Sequence, residues 1–125
     1  MTRRGFLAAC STALPQPTPI IDTHTHFYDP ARPQGVPWPS REEKLLYRRV
    51  LPAHFKNIAQ PLGVTGAIVI EASAWIEDNQ WVLDLIARDP FLLGLVGHLE
   101  PGQPDFARHL ARFRKSPRFL GIRAG

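Results

Sequence analysis

The sequence predicts an α/β fold in which four parallel strands alternate with helices. Short apolar runs at 20–27, 66–72, 91–98 and 119–124 alternate with segments of helical periodicity, which is typical of βα units. These runs are apolar almost throughout, as expected of strands that a parallel sheet buries on both faces. Four such strands form either half of an eightfold α/β barrel, which typically needs about 250 residues, or an open sheet.

The composition restricts the class of protein. The chain has 125 residues, of which 44% are hydrophobic and 21% charged, as expected for one small globular domain. Its single cysteine excludes both an internal disulfide and a zinc module built on four cysteines. No apolar run reaches the roughly 18 residues that a membrane-spanning helix needs, so we expect no integral membrane span. The net charge of +4 permits an anionic partner without requiring one.

Residues 1–19 are typical of a targeting segment and linker. The pair Arg3-Arg4 lies just before a short apolar stretch, as in twin-arginine export signals. Residues 7–10 are similar to a lipobox, which makes Cys10 a candidate for lipid attachment. An extended linker is predicted by three alternating prolines, Pro15, Pro17 and Pro19. We therefore expect a folded domain over 20–125 and a periplasmic location, with a cytoplasmic location as the alternative.

The elements between the first two strands follow from local signals. A proline-rich loop over 28–39 contains Trp38. Ser40, with Glu43 three positions later, is a capping-box signature that predicts a helix near 41–50. Pro52 interrupts that pattern, so a second short helix is expected near 52–60.

Two further helices are predicted in the second half of the chain. Asp78 is a candidate N-cap for a helix over 79–88, whose apolar residues fall on one face. The next helical segment has an apolar stripe at i, i+4 and i+7, formed by Phe106, Leu110 and Phe113. Arg108 and Arg112 lie opposite that stripe, in a basic cluster that extends to Arg118. Because these charges lie opposite the apolar stripe and no known nucleic-acid motif accompanies them, we expect a solvated helix face and no nucleic-acid interface.

The sharpest chemical signal is the His-x-His pair of His24 and His26, at the end of the first predicted strand. Side chains alternate across a strand, so the two imidazoles point the same way, with Cα atoms about 6.6 Å apart. They can converge on one cation, and imidazole nitrogens suit Zn²⁺, Fe²⁺, Co²⁺ or Mn²⁺ better than Mg²⁺ or Ca²⁺. Asp22 shares this face and could accept a hydrogen bond from a ring nitrogen. His54 and His109 lie on helical segments and are expected to face solvent.

Other polar residues lie near the ends of predicted strands. Glu71 falls within an apolar strand, where an acid needs a polar cavity or a partner, so it faces either the barrel mouth or a helix. His98 ends the third strand close to Glu100 and is either a pocket group or a loop residue. Ser73 and Trp75 follow the second strand and could line a pocket through hydrogen bonding and stacking, with a plain loop role as the alternative.

A family resemblance rests on the first strand and on three later runs. Residues 19–30 resemble the first strand of the amidohydrolase superfamily, and more narrowly of its amidohydrolase-related (amidohydrolase 2) branch. That branch includes sugar-lactone and pyrone-dicarboxylate lactonases. The order and spacing of the later runs agree with it: Val69-Ile70-Glu71-Ala72-Ser73 with Asp78-Asn79-Gln80, Gly94-Leu95-Val96-Gly97, and Phe119-Leu120-Gly121-Ile122-Arg123. The resemblance covers residues 19–125.

The resemblance implies a TIM-like (β/α)8 barrel, of which this chain holds the first four β/α units. It implies that His24 and His26 bind a divalent metal ion, with zinc the first candidate. The remaining ligands and the general base are expected beyond Gly125, so the chain is expected to be a fragment. Arg123 is expected to bind a substrate carboxylate or carbonyl, for which its guanidinium offers a rigid donor fork.

The activity that the resemblance implies is hydrolysis of a small-molecule substrate, a lactone or a similar cyclic ester or amide, by a metal-activated water. The alternative is a truncated α/β remnant without catalytic activity, because two histidines are fewer than the three or so protein ligands of a catalytic zinc site. Apolar strands at both edges of half a barrel would favour pairing with another copy. We therefore expect a homo-oligomer or aggregation rather than a stable monomer.

Overall fold

The computed structural model describes residues 16–123. Over this range four strands, β1 (Ile20–Thr25), β2 (Val64–Ile70), β3 (Leu92–His98) and β4 (Phe119–Arg123), form one sheet in the order β1-β2-β3-β4. Every neighbouring pair in this sheet is parallel. The predicted α/β class, with four parallel strands in sequence order, is confirmed. The arginine pair and Cys10 of the predicted targeting segment lie outside the described residues.

Three α-helices connect the strands: α1 (Pro52–Ala59), α2 (Ile76–Arg88) and α3 (Phe106–Phe113). A 3-10 turn over Gln60–Leu62 follows α1 and leads into β2. The helices cover the sheet because each presents an apolar face to it, as the buried residues Val82, Leu83 and Ile86 of α2 illustrate. In the described part of the chain, no helix has the length and apolar character needed to cross a membrane.

The core lies between the sheet and these helices. Its fully buried residues come from the strands and from α3 and include Val69, Leu92, Leu95 and Phe113. Leu99, just beyond β3, belongs to the same cluster. The apolar runs of β2 and β3 became strands because one side of each packs into this core, with Val69 and Leu95 fully buried, while Ile68 and Leu93 are only partly buried.

The prediction of a helix near 41–50 is wrong. The expected capping contact does form, since the backbone N–H of Ser40 donates to Glu43 Oε2 at 2.8 Å. The residues that follow it fold as successive turns, and Leu45 is 87% exposed. A helix of this length is marginal without an apolar face packed on a core, and this segment offers none.

The role predicted for Asp78 as an N-cap is also wrong. Helix α2 begins at Ile76, three residues earlier than the capping role required, and Trp75 occupies the N-cap position. Asp78 lies in the first turn, and its carboxylate accepts two hydrogen bonds from Arg32. Local sequence patterns could not predict this partner, because Arg32 lies 46 residues before Asp78.

His109 is buried, which corrects the expectation that it faces solvent. Its ring packs on Phe113, four residues later on α3, with ring centroids 6.5 Å apart. Its Nε2 lies 2.9 Å from Asp105 Oδ2, and this hydrogen bond lowers the pKa of the Asp105 carboxyl. His109 therefore belongs to the apolar face of α3. The arginines on the opposite face are solvated and ion-paired, as Arg112 with Glu77 shows at 2.6 and 2.8 Å.

The edges of the sheet are apolar. Among the described residues β1 and β4 each pair with a single strand, and Ile20 and Leu120 at these edges are each 51% exposed. Exposed apolar edges favour pairing with further strands. Association with a second copy stays a prediction.

Candidate active site

The carboxyl ends of the four strands meet at one edge of the sheet and carry polar side chains. His26 follows β1, Glu71 follows β2, and His98 and Arg123 end β3 and β4 as direct register partners. These four side chains, together with Trp38, line a cleft of about 400 Å³. The cleft lies where barrel enzymes of this topology build their active sites.

The two histidines at the carboxyl end of β1, His24 within the strand and His26 one residue past it, converge as the alternation of strand side chains predicts. Their ring centroids lie 5.0 Å apart, with the ring planes at 80°. His26 Nδ1 lies 3.0 Å from the carbonyl oxygen of Ile70 on β2. Because a carbonyl oxygen can only accept, the neutral ring carries its proton on Nδ1 and leaves the lone pair of Nε2 free. This is the state in which a histidine binds a metal ion.

The donor set fits a divalent metal ion in part. His24 and His26 offer two neutral nitrogens of the kind that zinc prefers. Over residues 16–123 no group of three or more His, Cys, Asp or Glu side chains is arranged to hold a metal ion. The described residues thus supply two of the roughly three protein ligands of a catalytic zinc site.

Asp22 does not support a histidine ring in the way the sequence suggested. Its Oδ1 accepts the backbone N–H of His24 at 3.0 Å, a local bond between residues two apart. The Ile70 carbonyl takes the place of Asp22 as the partner of the His26 ring. Asp22 therefore shapes the backbone that carries His24.

Glu71 and Arg123 face each other across the cleft. Strand β2 ends at Ile70, so Glu71 lies one residue past it, and its carboxylate is largely buried at the cleft. Glu71 Oε1 lies 3.9 Å from Arg123 Nε, an ion pair too long to be a hydrogen bond. The exposed guanidinium of Arg123 therefore keeps its donors available for an anionic or carbonyl ligand.

His98 is buried where β3 leaves the sheet, and it lines the cleft. Its Nε2 lies 3.0 Å from Glu100 Oε1. The side chain of Asn79 on α2 binds the backbone of His98 in both directions, accepting from its N–H and donating to its carbonyl oxygen at 2.9 Å each. Asn79 thus fixes the end of β3, a role that sequence reasoning missed because its partner lies 19 residues away.

The structure places neither Ser73 nor Trp75 in the cleft. Ser73 Oγ accepts the backbone N–H of Trp75 at 3.1 Å, which shapes the turn that leads into α2. Trp75 is 40% exposed at the N-cap position of that helix. Trp75 therefore lies outside the cleft, whereas Ser73 also lines a smaller neighbouring cavity together with Trp38 and Glu71, so its part in substrate binding stays a prediction.

Trp38 is the lining residue that sequence reasoning left in a loop. Its ring centroid lies 6.2 Å from that of His26 and 5.2 Å from that of Tyr28. Burial raises the pKa of the Tyr28 phenol, which donates to the carbonyl oxygen of Leu46 at 3.2 Å. An aromatic residue in the loop after the histidine strand was the one available signal, and its place in the cleft depends on contacts far along the chain.

Known proteins resemble this chain in sequence and fold. A family model described as amidohydrolase matches residues 21–125. An L-fucono-1,5-lactonase of Burkholderia ambifaria is 29% identical over 103 residues, which cover 82% of this chain and 35% of that protein. Two crystal structures of an amidohydrolase from Burkholderia multivorans, one with bound zinc and one with bound HEPES, superpose with TM-scores of 0.71 and 0.72 at 23% identity.

These comparisons also set the extent of the match. The two crystal structures are matched over 84% of this chain and 36% of theirs, so the chain spans about a third of the length of these relatives. Four parallel strands joined by helices, matched to part of a longer amidohydrolase chain, are what the barrel expectation requires. With the family model matched over nearly all of the described residues, the chain belongs to the amidohydrolase family.

Proposed function

We propose that this chain provides the metal-binding and substrate-binding edge of a hydrolase that acts on a lactone or a similar cyclic ester or amide. The observation that carries the proposal is the convergence of His26, whose ring contacts that of His24, with Glu71 and Arg123 at the carboxyl edge of a parallel sheet. Family membership and the similarity to an L-fucono-1,5-lactonase support it.

Each residue has a distinct part in the proposed chemistry. His24 and His26 would hold a divalent metal ion, with zinc the first candidate. When bound, such an ion supplies Lewis-acid polarisation of a carbonyl group and acidifies water. The hydrogen bond from His26 Nδ1 to the Ile70 carbonyl orients that ring and makes its Nε2 a stronger metal ligand. Arg123 offers its donor fork to a substrate carboxylate or carbonyl, and the Glu71 carboxylate orients the guanidinium.

The alternative candidate is a chain that binds ligand without turning it over. The incomplete ligand set over residues 16–123 favours it, because two imidazoles are fewer than the three or so protein ligands of catalytic zinc. Hydrolysis separates the two candidates, since both predict ligand binding at the cleft and only the first predicts product.

Acid release from γ- and δ-lactones, followed in a pH-stat with zinc-loaded protein, is the test. The proposal predicts turnover above spontaneous hydrolysis that His26→Asn abolishes. Ligand binding without turnover would establish the non-catalytic alternative. Rates equal to spontaneous hydrolysis for every lactone, with no ligand binding at the cleft, would contradict both candidates.

Replacing Arg123 by Gln is expected to weaken binding of a carboxylate-bearing lactone about tenfold. A hydrogen bond to a charged group contributes about 1.5–3 kcal/mol, and the exposure of Arg123 places this loss at the lower end. Arg123→Lys should lose part of the affinity, because it keeps the charge without the fork. Calorimetric titration measures the change.

The matched control is Arg118→Gln. Arg118 is another exposed arginine of the same segment, and it donates to the carbonyl oxygen of Leu93 at the opposite end of the sheet. Its removal should leave the affinity unchanged. Equal losses in the Arg118 and Arg123 variants would mean that overall charge, rather than a site at Arg123, attracts the ligand.

A further inference from the structure

The cleft has one large apolar surface among its lining residues. Three of its polar side chains, Glu71, His98 and Arg123, lie at the carboxyl ends of β2, β3 and β4, and two alanines complete the edge. The indole of Trp38, from the loop after β1, faces these groups and is 39% exposed. A cleft with one aromatic surface opposite polar groups suits a ring that has an apolar C–H face and polar substituents at its rim.

The loop that carries Trp38 is held to α2 by a buried ion pair. Arg32 Nη1 and Nη2 donate to the two carboxylate oxygens of Asp78 at 2.9 and 3.1 Å. The side chains of Arg32 and Asp78 are only 9% and 11% exposed. The same guanidinium donates to the carbonyl oxygen of Gly35 at 3.2 Å and lies 4.5 Å above the ring of Trp81. One arginine thus joins the middle of the loop to two residues of the helix.

The start of the loop is held independently. The backbones of Tyr28 and Val50 exchange hydrogen bonds at 3.0 and 2.9 Å. Asp29 accepts the backbone N–H of Ala31 at 2.9 Å and Nε of Arg49 at 3.1 Å. A buried ion pair adds little net stability, because the cost of desolvating the two charges offsets their attraction. We therefore expect the Arg32–Asp78 pair mainly to restrict the loop to one conformation.

We propose that the indole of Trp38 packs against the C–H face of the cyclic ester or amide that the cleft accepts, and that the buried Arg32–Asp78 pair is the positioning device that holds the indole in place. The proposal rests on the proposed function, since it names the part of the ligand that the apolar side of the cleft recognises. A rigid aromatic surface recognises a ring at low entropic cost.

The first test measures binding of δ-valerolactam, a six-membered cyclic amide that resists hydrolysis, by NMR titration of the full chain. Trp38→Ala should raise the dissociation constant about tenfold, and Trp38→Phe should retain most of the affinity because it keeps an aromatic face. Trp75→Ala is the matched control, since Trp75 is exposed to the same extent as Trp38 and lies outside the cleft.

The outcomes of this titration separate the two proposals. Unchanged affinity in Trp38→Ala would overturn the role of Trp38 and leave the proposed function standing. Failure of the lactam to bind the unaltered chain would contradict the proposed function, and the role of Trp38 with it. Equal weakening in Trp38→Ala and Trp75→Ala would indicate nonspecific stacking and would also overturn the proposal.

The second test addresses the ion pair. The double variant Arg32→Met with Asp78→Leu removes both buried charges together, so neither is left unpaired. It should keep cooperative unfolding, yet weaken lactam binding and lower the ¹⁵N order parameter of the Trp38 indole N–H from about 0.85 to below about 0.6. Asp78→Asn, which keeps one acceptor for Arg32, should give an intermediate result. Indole mobility and lactam affinity that match the unaltered chain in both variants would overturn the positioning role.

Discussion

Replacing both His24 and His26 by Asn is expected to lower zinc affinity at least about 100-fold. Loss of a supporting partner of a metal ligand alone costs about 10–100-fold, and here both imidazole donors disappear. The rings are already brought together, with centroids 5.0 Å apart, so little reorganisation opposes binding in the unaltered chain. Competition with a chromophoric chelator at fixed pH measures the change.

The control is His54→Gln. His54 is exposed on α1, away from the cleft, and its Nδ1 accepts the backbone N–H of Leu51 at the start of that helix, a role that Gln can also fill. The His54→Gln variant should bind zinc with the same affinity as the unaltered chain. A double variant of His24 and His26 that still binds zinc normally would place the metal elsewhere.

Replacing Gly97 by Ala is expected to destabilise the fold by about 2–4 kcal/mol. A Cβ at Gly97 would lie only 2.3 Å from Asn79 Oδ1 and 2.6 Å from Phe119 Cε2. Asn79 cannot withdraw without breaking its bonds to the backbone of His98, and a buried group left without a partner costs about 1–3 kcal/mol. Overpacking adds a cost of similar size.

Urea unfolding of the full chain measures this effect, with Gly121→Ala as the matched control. Gly121 is also a strand glycine, and a Cβ added there has no heavy atom of the described residues within 4 Å. We expect its free energy of unfolding to change by only a few tenths of a kcal/mol. Equal losses for the two variants would mean that Asn79 does not fix the end of β3 as the structure indicates.

The strands were predictable because a buried strand appears in the sequence as a run of consecutive apolar residues. The apolar runs at 66–72 and 91–98 located β2 and β3 to within two residues. The helix expected at 41–50 failed because a capping signature is local, whereas a short helix depends on packing that this segment lacks. His109 was misplaced for a related reason, since its position beside Phe113 depends on how α3 lies on the sheet.

The candidate site also has features that the sequence predicts and features that only the fold creates. The His24 and His26 pair could be predicted, because alternation along a single strand places both rings on one side. The bond between His26 and the Ile70 carbonyl joins residues 44 positions apart, and the Arg32–Asp78 pair joins residues 46 apart. Such contacts are created by the fold and leave no periodic or local signature, so Trp38 and Asn79 could not be recognised as residues that shape the cleft.

Long-range ¹H–¹⁵N correlation spectra of the imidazole nitrogens, recorded on the full chain during a zinc titration, test the metal-binding edge most directly. The structure predicts that a ring nitrogen of His24 and Nε2 of His26 shift together, while Nδ1 of His26 stays protonated against the Ile70 carbonyl. His54, on an exposed helix surface, and His109, packed on Phe113, should keep their signals unchanged. Zinc-dependent shifts at His54 or His109, with His24 and His26 unaffected, would contradict a metal site at the carboxyl end of β1.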